Sequence, residues 1–244
     1  HVTGVQTCAL PIWNIMNPME QSLPRSQESI LATNKVLKNT YMLLSVSLIW
    51  TALAAGFAMV TNASPGAGMI SSFAALAVLW FVMPRHENKA SGIGIVFLFT
   101  ALLGYGLGPT LGYYASVQGG EQIITTAFGL TGLIFLSLSG FVLTTKKDFS
   151  FMTGFLMSGI MIAFFGSLAL VAASLFGFHF PMGMLVISGM FALLSSGLIL
   201  WETSNIIHGG QTNYIAATVT LYVALYNLFT SLLHILMAFA GGDD

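Results

Sequence analysis

The stretch FMTGFLMSGIMIAFFGSLALVAASLF, Phe151–Phe176, contains no Asp, Glu, Lys or Arg. About 20 largely apolar residues suffice to cross a bilayer as one helix. The run shows no alternation of apolar and polar residues, so a β-barrel strand does not compete. Turn chemistry and charge bound it, with TKKD at 145–148 on one side and GFHFP at 177–181 on the other. Outward from this stretch the same pattern recurs. Gln122–Thr144, Gly92–Tyr114, Ala67–Met83 and Tyr41–Thr61 precede it, and Met182–Trp201 and Tyr214–Ala240 follow. The windows predict an all-α membrane protein, a seven-transmembrane-helix bundle over residues 41–240, with Ala67–Met83 its shortest span.

Composition agrees. The chain has 244 residues, of which 56% are hydrophobic and 6% charged, where an ordinary soluble domain carries about 25% charged residues. Too few charges are present to clothe a soluble core, which excludes a soluble enzyme and a disordered chain. A net charge of −1 gives no basic footprint for nucleic acid. Val2–Ile12, VTGVQTCALPI, is the codon-by-codon translation of a common sequencing-library adapter. Residues 1–15 are therefore read as an assembly artefact, with a natural start near Met16 or Met19. The single cysteine, Cys8, falls inside that stretch, so thiol chemistry and thiolate metal sites are not expected.

The positive charges set the orientation. Arg25, Lys35, Lys38, Arg85, Lys89, Lys146 and Lys147 are all the Lys and Arg of the chain, and seven alternating spans put every one on the same side. The positive-inside rule makes that side cytoplasmic. Residues 16–40 are then a cytoplasmic tail and 241–244 a short periplasmic one. Within the tail, Met16–Gln27 reads as disordered. Ile30, Asn34, Leu37 and Tyr41 share a helical face and enter the membrane as an interfacial turn.

Charge inside a span usually marks mechanism, and the middles of these spans have none. The last span lacks a lysine for a retinal Schiff base. Its His234 has no G-x-S-G serine motif to work with, because SLSG at 137–140 and LSSG at 194–197 both lack the first glycine. No enzyme activity, cofactor or metal is expected. Glu121 and Glu202 lie at span ends. Glu202, where the sixth span leaves the bilayer, is the candidate pH-sensing carboxylate, unless it simply reaches interfacial water. His208 precedes Gly209 at an expected helix C-terminus, where a cationic ring suits the dipole, and His179 reads as solvated. Gly104, Gly108 and Gly112 stand at four-residue spacing beside Pro109, the pattern of a close helix-packing seam or of a hinge.

Three stretches carry a family likeness: NKVLKNTY at 34–41, VLTTKKD at 142–148 and ETSNIIHGG at 202–210, continued by LYVALYNLF at 221–229. They resemble the Bax inhibitor-1 family over about Ser29 to Phe239, and are closest to its bacterial branch. The resemblance implies a multi-pass protein of the bacterial inner membrane that binds and restrains an FtsH-type protease complex. It also implies that the protease can grip the chain by its N-terminal tail. Other members of the family act as pH-sensitive calcium leaks through two facing acids on the last two spans. Here the first maps to Glu202, while the second falls on Ala224. A lone carboxylate cannot share a proton with a partner, so the leak remains the alternative reading.

Overall fold

The computed structural model describes residues 25–178 and 180–240; the adapter-like stretch, the rest of residues 1–24, His179 and residues 241–244 lie outside the described residues. Seven helices are long and apolar enough to cross a membrane. They are α1 Arg25–Val60, α2 Pro65–His86, α3 Ser91–Ser116, α4 Gly120–Thr145, α5 Thr153–Leu175, α6 Pro181–Ile207 and α7 Tyr214–Ala240. A 3-10 turn, Ser150–Met152, leads into α5.

Three boundaries differ from the sequence reading. The first span was expected from Tyr41, after a separate tail. Instead α1 starts at Arg25 and runs unbroken for 36 residues, because no proline and no glycine before Gly56 interrupts it. At 1.5 Å per residue it is about 54 Å long, well beyond a hydrocarbon core of about 30 Å. It is therefore longer than the core it would cross, and Arg25–Gln27, expected in the tail, belong to the helix. The second span does not stop at Met83 but continues to His86 through a π-helical turn, Val78–Val82. Pro84 lacks an N–H and its ring crowds the preceding turn, and widening that turn accommodates it. The Arg85 guanidinium donates to the Phe81 carbonyl at 2.7 Å, and the His86 ring bonds the Val82 carbonyl at 3.0 Å. The loosened end is thereby satisfied by side chains. The sixth span, expected to end at Trp201, continues to Ile207 and carries Glu202 inside the helix.

Helix α7 is the hub: it packs against α1, α3, α4 and α6, while α2 lies on α3 and α5 on α6. Lipid tails are as apolar as leucine, so helices associate in a bilayer by close packing and hydrogen bonds rather than by the hydrophobic effect. Both are present here. A core of Leu44, Phe99, Ile199, Leu221, Tyr222 and Leu228 surrounds α7. At its centre the Thr51 hydroxyl and the Tyr222 hydroxyl are 2.7 Å apart, and the Phe99 and Tyr222 rings meet edge to face at 5.7 Å. Large apolar side chains such as Phe128, Leu136, Phe155 and Phe165 point outward, as a lipid-facing surface requires.

Candidate functional site

Polar groups gather at the C-terminal end of α6, just before α7 begins. Glu202 lies on α6 and is 1% exposed. α6 extends beyond it by more than a turn. The side chains of Asn205 and Gln211 face its carboxyl group, and Oε1 has no hydrogen-bond partner among the described residues. Thr203 and Ser204 beside it are equally buried. The Thr203 hydroxyl lies 3.4 Å from that of Ser139 on α4. The Ser204 hydroxyl accepts the Phe149 N–H at 3.0 Å and donates to the Lys147 carbonyl at 3.2 Å, which ties α6 to the turn after α4.

His208 caps α6. Its Nδ1 lies 2.8 Å from the Ser204 carbonyl, an acceptor only, so Nδ1 carries the proton in the neutral ring. In the same turn Asp148 accepts the Ser150 N–H at 2.8 Å. That bond holds its carboxyl below the usual carboxylate range, with the nearby His208 adding to the effect.

Ala224, the position of the missing acid, is wholly buried in the same apolar cluster as Ile199, Leu221 and Leu225. His234 lies towards the C-terminal end of α7, edge to face with Tyr114 at 6.2 Å, whereas Glu202 and His208 lie at the end of α6 that precedes the start of α7. Glu121 stands exposed in the first turn of α4, where a negative charge suits the helix dipole.

The glycines divide. A Cβ on Gly104 would strike the Thr51 carbonyl, and one on Gly108 would strike the Ala58 side chain, so α1 and α3 approach closely at both. Gly112 has nothing within 4 Å, so the seam stops before it. Gly106, on the adjoining face, meets Ser72 and Gly68 of α2 instead.

Two features went unread in the sequence. Asn213 caps α7, its Oδ1 accepting the Ile215 N–H at 2.9 Å and the Ala216 N–H at 3.3 Å. Its Nδ2 donates to the Glu87 carbonyl and to Asn88 Oδ1, both at 2.9 Å. An Asn directly before an apolar run is a legible capping signal; its second attachment is not. The Thr51–Tyr222 pair joins the first and last helices and carries no local signal at all.

The family model described as inhibitor of apoptosis-promoting Bax1 matches residues 33–241. The chain belongs to the Bax inhibitor-1 family. Its described part is a helical bundle built to cross the membrane, in keeping with that membership. Among its relatives is a protein of Escherichia coli strain K12 named modulator of FtsH protease YccA. It is 47% identical over 222 residues, covering 91% of this chain and 98% of the relative. The counterpart in Escherichia coli O6:H1 strain CFT073, named inner membrane protein YccA, has the same identity and coverage. A Vibrio cholerae protein named only as a membrane protein is 46% identical over 211 residues, covering 86% of this chain and 92% of its own length. This chain is likewise a multi-pass inner-membrane protein.

Proposed function

We propose that this Bax inhibitor-1 protein binds an FtsH-type membrane protease and restrains its degradation of other membrane proteins. The observation that carries the reading is collinear identity at 47% with a relative named for that role, across 98% of the relative's length. Such a protein acts by occupancy: it holds the protease's membrane-side entry while resisting extraction. The hub arrangement suits this. Pulling on α1 must break its close approach to α3 at Gly104 and Gly108 and its hydroxyl contact with Tyr222 on α7.

The tail preceding Arg25 is the handle in this reading. Deleting residues 16–24 spares α1 and should lengthen the protein's lifetime in cells containing active protease, while leaving the seven spans in place. It should also turn the protein into a stronger inhibitor, since a bound competitor that cannot be unfolded stays bound. Co-purification from detergent with and without the protease tests binding itself. Absence of a complex defeats the reading, and an unchanged half-life defeats the role of the tail.

A further inference from the structure

Where α1, α4 and α6 converge at the cytoplasmic end, a cavity of about 520 Å³ opens, lined by Thr33, Asn34, Leu37, Leu143, Lys146, Ile207, His208 and Gly209. The directions of the helices sort these residues by depth. Leu37 lies one turn farther into the membrane than Thr33 and Asn34 on α1. Leu143 lies about a turn deeper than Lys146, and Ile207 lies deeper than His208. The cavity thus has an apolar inner part and a polar mouth.

Its mouth holds a lysine and a histidine, and no acidic side chain is among its lining residues. Asp148, whose carboxylate accepts the Ser150 N–H at 2.8 Å, is not among the lining residues. Because His208 Nδ1 donates to the Ser204 carbonyl, Nε2 is the nitrogen left to accept a hydrogen bond from a ligand. The negative dipole end of α4 also points here, and Lys146, at its cap, supplies a cation.

We propose that this cavity binds the phosphodiester of an anionic phospholipid from the cytoplasmic leaflet. Lys146 holds the phosphate, His208 Nε2, Thr33 and Asn34 hydrogen-bond the hydroxyls of the headgroup, and Leu37, Leu143 and Ile207 receive the first carbons of the chains. Basic pockets between transmembrane helices on the cytoplasmic side recognise such headgroups. A free phosphate ion shares the charge but has no use for the apolar inner part.

The test needs a variant that keeps the fold. Lys146 has φ 52°, a left-handed conformation that Asn adopts readily, so Lys146→Asn preserves the turn. Lys147→Asn removes the same charge one residue away, from a side chain whose Nζ lies 5.8 Å from the Phe141 ring centroid and does not line the cavity. Full-length protein in detergent is titrated with phosphatidylglycerol, phosphatidylcholine and inorganic phosphate, and bound lipid is counted by native mass spectrometry. We expect saturable binding of one phosphatidylglycerol in preference to phosphatidylcholine. It should weaken about tenfold or more in Lys146→Asn, as loss of a charged hydrogen bond implies, weaken less in His208→Gln, and stay unchanged in Lys147→Asn. Equal weakening in both lysine variants would show a diffuse surface charge effect and overturn the site. Loss of the lipid preference, or displacement of the lipid by millimolar inorganic phosphate, would overturn it as well.

Discussion

Asn213 serves two elements at once, capping α7 and holding the end of α2 through Glu87 and Asn88. Asn213→Ala loses both roles. It should lower stability by about 1–2 kcal/mol, read as a fall in melting temperature in detergent, whereas Asn213→Asp keeps the cap and should cost less. Glu202 poses a different problem, since Asn205 and Gln211 face a carboxyl that is 1% exposed. Glu202→Ala strips those amides of their acceptor in a dry site and should cost about 1–3 kcal/mol. Glu202→Gln keeps the shape and an acceptor oxygen, so a melting temperature no higher than that of the alanine variant would contradict this account. Ala224→Asp places an unpaired acid in a close-packed apolar cluster. It should destabilise the bundle by about 3 kcal/mol or more, seen as poor recovery of folded protein. Asp148 gives the acid-side dependence. Its carboxyl is depressed by the Ser150 N–H, so its contribution is present above the unfolded carboxylate value of about 3.9. It is lost as pH falls through the lower folded value. Asp148→Asn should flatten that part of the melting-temperature profile.

Among the elements, the α1–α3 pair shows how a glycine series must be divided. Gly104 and Gly108 face α1 at distances that leave no room for a methyl group, and Gly112 faces open space. Gly104→Ala or Gly108→Ala forces the helices apart and should cost about 1–3 kcal/mol, as overpacking does. Gly112→Ala should be neutral or stabilise by up to about 1 kcal/mol, because alanine is the better helix former. Thermal unfolding of the three variants in one detergent decides the matter. Equal effects at all three positions would mean that spacing alone, not contact, sets the seam. The four-residue repeat was legible in the sequence, but which of its members touches a neighbour was not. That depends on where α1 crosses α3 and where the contact ends. Likewise the charge-free windows located every span, yet α1, α2 and α6 proved longer than their windows. A helix ends where hydrogen bonding fails, not where hydropathy falls, and polar residues at the inner ends continue all three.

The positive-inside rule predicts that the cations orient the whole molecule, and this is open to direct test. Reporter fusions after Lys147 should behave as cytoplasmic and fusions at Gly241 as periplasmic, and a cytoplasmic C-terminus would mean that one span does not cross. The number of spans and the family were both legible in the sequence alone. Hydrophobic length and the distribution of Lys and Arg act locally, through the cost of placing each segment or charge in lipid, and need no knowledge of which helix touches which. The tertiary structure decided the rest. It made α7 the hub, brought Thr51 to Tyr222 across the length of the chain, and buried Glu202, which hydropathy had placed at the membrane edge. It also gathered Lys146 and His208, each unremarkable in its own segment, around one cavity beside α1. Such placements follow from how seven helices pack sideways, and in a bilayer that packing rests on shape and hydrogen bonding between distant residues, to which hydropathy is blind.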